Sequence, residues 1–158
     1  MKDRTLRNIY LCCYIALAFC IIWAASSVIN FTNIMFGKYA SSHPIDWSVN
    51  TTMRIIVFIC YLLGSVAMVI LCVKAVFNTL KGLRQNTVFP RSNEKLMFRI
   101  ALADFVCLFG SADFFLLWED DVVFRLTHTN FVTPFFLLFF AFMYKVAADA
   151  VEENNLTI

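Results

Sequence analysis

Residues 55–73, IIVFICYLLGSVAMVILCV, run for 19 positions without a single charge. A helix needs about 20 apolar residues to cross ~30 Å of hydrocarbon, so this stretch reads as a membrane span. Three further apolar blocks flank it, at 9–29, 100–118 and 131–148, each separated from the next by a short charged segment. The whole composition points the same way. Of 158 residues, 61% are hydrophobic and 15% charged, against about 45–50% and 25% in an ordinary soluble domain. Too few polar side chains exist to solvate a globule of this size. The expected fold class is all-α: a four-helix transmembrane bundle, N-in/C-in. It forms a single integral membrane domain, 1–158, with spans at 9–30, 54–80, 96–118 and 131–148.

The first block has a basic start (Lys2, Arg4, Arg7), as a signal peptide would. Its apolar run exceeds the 7–15 residues of a signal core, so a retained anchor helix is expected. The fourth block counts Lys145 as a snorkelling end residue. Orientation follows from lysine and arginine. Ten of them (2, 4, 7, 74, 81, 84, 91, 95, 99 and 145) fall on the side of the termini, and three (38, 54 and 125) on the other. Both termini and the middle loop are therefore expected in the cytoplasm. The six cysteines all lie within apolar blocks. They read as packing residues, with no disulfide framework implied.

Spans two and three share a small-residue pattern at mid-depth, LLGS at 62–65 and LFGS at 108–111. Small residues let lipid-embedded helices approach closely, so a crossing is expected at Gly64, Ser65, Gly110 and Ser111. The second span is expected to continue to a cap near Gly82, and Ser92 or Asn93 to cap the third helix.

The third span holds two aspartates, Asp104 and Asp113. On one helix, nine residues turn through about 900° and rise about 13.5 Å, which sets the two on opposite faces and excludes a carboxylate dyad. Depth matching pairs Asp104 with Lys145, or with Lys74 if both chains stretch, and brings Arg54 within reach of Asp113. Ionisable groups inside a membrane are functional candidates by default.

Catalytic chemistry has no support. The two histidines, His43 and His128, lie in the outer loops, so a bis-histidine haem site is excluded. No spacing offers three metal ligands, and no nucleophile elbow, phosphate loop or zinc-protease motif is present. No catalytic residue, metal or cofactor is expected, and the chain reads as not an enzyme. The loop KGLRQNTVFPRSNEKLMFR interleaves cations with apolar residues, a pattern suited to anionic lipid headgroups or a cytoplasmic partner. Nucleic acid is not expected against a negative membrane surface. The acidic tail DAVEENNLTI is expected to fold back on this loop, with Glu152 and Glu153 facing Arg84, Arg91 or Lys95. Such exposed pairs are worth about 0–1 kcal/mol.

The loop and tail resemble those of a bacterial family known as domain of unknown function 2975. The resemblance rests on Val88-Phe89-Pro90, Asn93, Leu96 and Arg99-Ile100-Ala101, and on the terminal EENNLTI at 152–158. The chain departs from it at Asn86, where many members carry glycine; asparagine also tolerates a left-handed turn. The resemblance implies a multi-pass protein of the bacterial inner membrane whose members are often encoded beside a small regulator.

The expected function is that of a non-enzymatic regulatory or interaction protein. Its working surface comprises Arg84, Phe89, Arg91, Lys95, Glu152 and Glu153, and its expected partners are the lipid bilayer, a cytoplasmic regulatory protein and further copies of itself. The alternative is an oligomeric transporter, channel-like or small-amphiphile-binding subunit using Asp104 and Asp113.

Overall fold

The computed structural model describes residues 3–36, 42, 45–85, 87–118 and 128–156. Among these the chain is all-helical, with four α-helices and no strand: α1 Asp3–Phe36, α2 Thr51–Arg84, α3 Glu94–Ala112 and α4 Val132–Leu156. Three of the four, α1, α2 and α4, are long and apolar enough to cross a membrane. The helix α3 is shorter and carries Glu94, Lys95, Arg99 and Asp104. At 1.5 Å per residue, the 34 residues of α2 extend about 51 Å, well past a ~30 Å hydrocarbon layer. Its last turn carries Lys81 and Arg84, where cations suit the negative end of the helix dipole.

The helices pack in chain order, α1 on α2, α2 on α3, and α3 on α4. Each neighbour runs antiparallel to the last. Phe31 meets Phe58 between α1 and α2, Gly64 meets Cys107 between α2 and α3, and Phe98 meets Phe142 between α3 and α4. One end of the molecule therefore gathers the start of α1, the 85–93 connection and the end of α4.

The α2–α3 contact is the closest. A Cβ built on Gly64 would lie 2.5 Å from the Cys107 backbone, and one on Gly110 would lie 2.6 Å from the Tyr61 Cα. Only glycine lets these backbones meet. The face of α2 turned to α3 repeats every seven residues (54, 61, 68, 75, 82), the spacing that keeps a stripe against an antiparallel neighbour. Met68 and Ala75 of α2 and Leu96, Ile100 and Ala103 of α3 form the buried core there. On α4 the buried Ala141 and Ala148 keep the same seven-residue interval against α3. The crossing expected at the small residues is thus present for Gly64, Ser65 and Gly110, all buried. Ser111 is not part of it. Its side chain is exposed, and its hydroxyl donates to the Leu108 carbonyl of its own helix at 3.1 Å.

The third helix also ends earlier than the expected 96–118 span. It stops at Ala112, Asp113 takes φ −99° and ψ 15°, and the chain continues as a single 3-10 stretch, Phe114–Leu117. Asp113 therefore occupies a joint rather than a helix interior. Its N–H still donates to the Phe109 carbonyl at 3.3 Å, which holds it at the end of the α3 helical path. Leu116 and Leu117 of this stretch are buried, and the stretch packs against α2. Before α2, Asn50 takes the left-handed conformation at φ 48°, which asparagine tolerates.

Candidate functional site

The end that gathers the termini is built by polar contacts. After α2, the amide N–H groups of Gln85 and Thr87 both donate to the Gly82 carbonyl, at 2.8 and 2.9 Å. A side chain on Gly82 would strike the Thr87 carbonyl oxygen at 2.8 Å. Gly82 thus makes the turn possible, although α2 itself runs on to Arg84. The connection is then tied in two directions. Asn93 is fully buried and does not cap α3 with its side chain, as the sequence had led us to expect. Its amide nitrogen instead donates back to α2, to the Ala75 carbonyl and the Thr79 hydroxyl, both at 2.9 Å. In the other direction, the Tyr144 hydroxyl on α4 donates to the Pro90 carbonyl at 3.0 Å. The Phe89 ring lies edge-on to Tyr144 with centroids 5.5 Å apart.

Arg91 completes the tie. Its Nη2 lies 2.7 Å from Glu152 Oε2 and 3.2 Å from Asp149 Oδ1. Its Nε donates to Glu152 Oε2 at 3.0 Å, and Glu94 stands 3.9 Å away. One guanidinium thus holds two carboxylates on successive turns of α4, the fork geometry for which arginine is suited. Its side chain stays 55% exposed, so water screens the pairing and its net stabilisation is modest. Of the pairings expected for the acidic tail, Arg91 with Glu152 is present. Arg84 and Lys95 are exposed and enter no ion pair with Glu152, which belongs to Arg91. Asp149 was not singled out from the sequence, and Asn93 was expected only as a cap. The helical spacing of Asp149 to Glu152, one turn, was the available signal for the first.

The charges expected inside the membrane are arranged differently from the depth estimate. Lys74 and Lys145 are exposed, and neither pairs with Asp104, whose Oδ2 is buried without a hydrogen-bond partner. The reason is direction. The α4 helix packs on the side of α3 that carries Phe98 and Phe105, and Asp104 stands about 100° around the helix from Phe105. It shares a stripe instead with Met97, seven residues earlier.

Arg54 and Asp113 are 1% and 0% exposed, at the end of the molecule away from the termini. Extending the α2–α3 register from Gly64 with Cys107 sets Asp113 level with Phe58, one helical turn from Arg54. Opposite charges are thus buried at one end of the same interface. Arg54 Nη1 also donates to the Asp46 carbonyl, which draws the turn before α2 onto the helix. In that turn the Ser48 amide and hydroxyl donate to Asp46 Oδ1 at 2.9 and 2.6 Å. These hydrogen bonds, the hydroxyl's first, hold the Asp46 carboxyl below its ordinary range. His43 and the acidic run 119–121 lie outside the described residues, as does the His128 side chain.

No group of three or more metal-ligating side chains is found among the described residues. Comparison with protein-family models, with curated proteins and with solved structures finds no match.

Proposed function

We propose that the protein is a small multi-pass protein of the bacterial inner membrane, with both termini cytoplasmic. In this reading it acts without catalysis, as a docking platform for a cytoplasmic regulatory protein. Ten lysines and arginines against three favour the orientation. The 85–93 connection and the final turns of α4 then form one cytoplasmic surface. The observation that carries the reading is the Arg91 bridge to Asp149 and Glu152. A topogenic loop needs only its charges, whereas this one is hydrogen-bonded to the helix on either side of it. Around the bridge, Arg84, Phe89 and Lys95 are exposed and form a cationic, partly apolar face. The resemblance of loop and tail to the bacterial membrane family supports the same surface, since those two segments carry it.

Site-specific photo-crosslinking from Gln85 in intact cells tests the proposal. A soluble protein should be trapped by the wild-type chain and lost in the Arg84→Glu, Lys95→Glu double variant. Trapping that persists unchanged after the charge reversal contradicts the reading.

A further inference from the structure

We propose that the side of the α2–α3 pair turned away from α1 binds an anionic phospholipid, with Lys74, Lys95 and Arg99 around its phosphate. The inference does not rest on the loop–tail platform, with which it shares only Lys95.

Register and helical turn bring the three cations together. The helix α1 covers one side of α2, with cavities of about 240 and 360 Å³ along it. Val76 of α2 and Met97 of α3 both line the larger one, which fixes the direction in which each helix faces α1. Lys74 stands two residues before Val76, and Lys95 and Arg99 stand two residues either side of Met97. Two residues turn a helix through about 200°, so all three side chains leave from the opposite side. Their depths agree as well. Gly64 meets Cys107 and Gly110 meets Tyr61, an antiparallel register that sets Lys74 level with Met97. Lys95 and Arg99 then lie about 3 Å to either side of that level along the helix. Just beyond, Asn93 ties the two helices together through Ala75 and Thr79, so the three positions share one braced surface.

The chemistry of that surface selects a lipid. All three cations are exposed, and none enters a salt bridge among the described residues, where the bridging cation is Arg91. The acidic groups of α3 are turned elsewhere. Glu94 stands beside Arg91, and Asp104 lies about 140° around the helix from Arg99. Lys74 follows directly on the charge-free run 55–73, at the level where hydrocarbon gives way to headgroups, and clustered cations there attract anionic lipids. Toward mid-membrane the same stripes become apolar. Leu63, eleven residues from Lys74, and Leu102, seven from Lys95, are 60% and 65% exposed; both intervals close to within about 20° of whole turns. A phosphate held by the cations thus has its acyl chains on Leu63 and Leu102. A soluble anion would meet only the charged half of this surface, whereas a phospholipid meets both halves.

Native mass spectrometry of the full-length protein tests this, with the detergent carrying equal amounts of dioleoyl-phosphatidylglycerol and dioleoyl-phosphatidylcholine. The first lipid retained by wild type should be phosphatidylglycerol, by about tenfold or more. Lys74→Gln with Arg99→Gln should bring the two lipids close to equality, and Lys74→Arg with Arg99→Lys should keep the preference. Arg4→Gln with Arg7→Gln removes as many charges from the same end of the molecule, on the helix that covers the other side, and should also keep it. Arg84 and Lys95, reversed in the crosslinking experiment, are untouched in every variant, so the two proposals fail separately. No preference in wild type overturns the proposal, as does a preference that survives Lys74→Gln with Arg99→Gln or falls equally in Arg4→Gln with Arg7→Gln.

Discussion

The α2–α3 and α1–α2 pairs are both antiparallel helix contacts, yet they are held by different means. Between α2 and α3 the backbones meet at two glycines, a polar pair (Ser65 Oγ and Cys107 Sγ, 3.4 Å apart) lies at the crossing, and Asn93 ties the start of α3 back to α2. The α1–α2 pair has Phe31 against Phe58 and cavities alongside. Much of α1 faces outward, with Leu11, Phe19, Ile21, Ile22 and Val28 among its exposed residues. Apolar surface gains nothing by leaving lipid for another apolar surface, so helices in a membrane associate through close packing and polar contacts. By that criterion α2, α3 and α4 are one unit and α1 is an outlying helix.

The sharpest way to break this contrast is to add bulk at the crossing. Gly110→Leu should force the helices apart and cost about 3 kcal/mol or more, read as lost thermal stability in detergent or lack of a folded, monodisperse species. Removing the buried tie, Asn93→Ala, should cost about 1–3 kcal/mol, because the amide's two bonds to α2, to the Ala75 carbonyl and the Thr79 hydroxyl, are lost; a denaturation midpoint measures it. Arg91→Ala should cost less than about 1 kcal/mol, and its effect should be on geometry rather than stability. On α1, Phe19→Ala, at a ring 65% exposed, should change stability by less than about 0.5 kcal/mol. An effect as large as that of Gly110→Leu would erase the distinction between the two pairs.

The smallest effect concerns the turn before α2. Ser48→Ala should raise the Asp46 pKa toward its ordinary value, as followed by NMR titration. The sign follows from the depressed pKa. The stabilisation is present above the unfolded-state pKa of the carboxyl and is lost as the pH falls through the folded-state value.

Much of this contrast was legible in the sequence. The charge-free run 55–73 and its three companions announced four helices, and the LLGS and LFGS segments announced where two of them touch. The partners of single charges were not legible, for a geometric reason. Counting residues along a helix gives depth, but pairing also needs direction around the helix, and that depends on which face each neighbour covers. Asp104 and Lys145 matched in depth and differ in direction. Arg91 was within reach of the tail because loop and tail meet at the end of the bundle, where direction constrains less. The end of α3 at Ala112 had no marker either. No proline or glycine follows it before Trp118, and the joint at Asp113 is imposed by packing against α2. The clearest lesson lies at Asn93. Read as a cap from its position, it acts as a tie between helices because its side chain is buried against α2.

The central claim is that the connection between α2 and α3 and the end of α4 form one locked surface, held by Arg91. Spin labels at positions 84 and 153, with their separation measured by pulsed dipolar spectroscopy in lipid nanodiscs, test it most directly. The wild-type background should give a single narrow distance distribution that broadens in Arg91→Ala. A broad distribution already present with Arg91 intact would contradict the account.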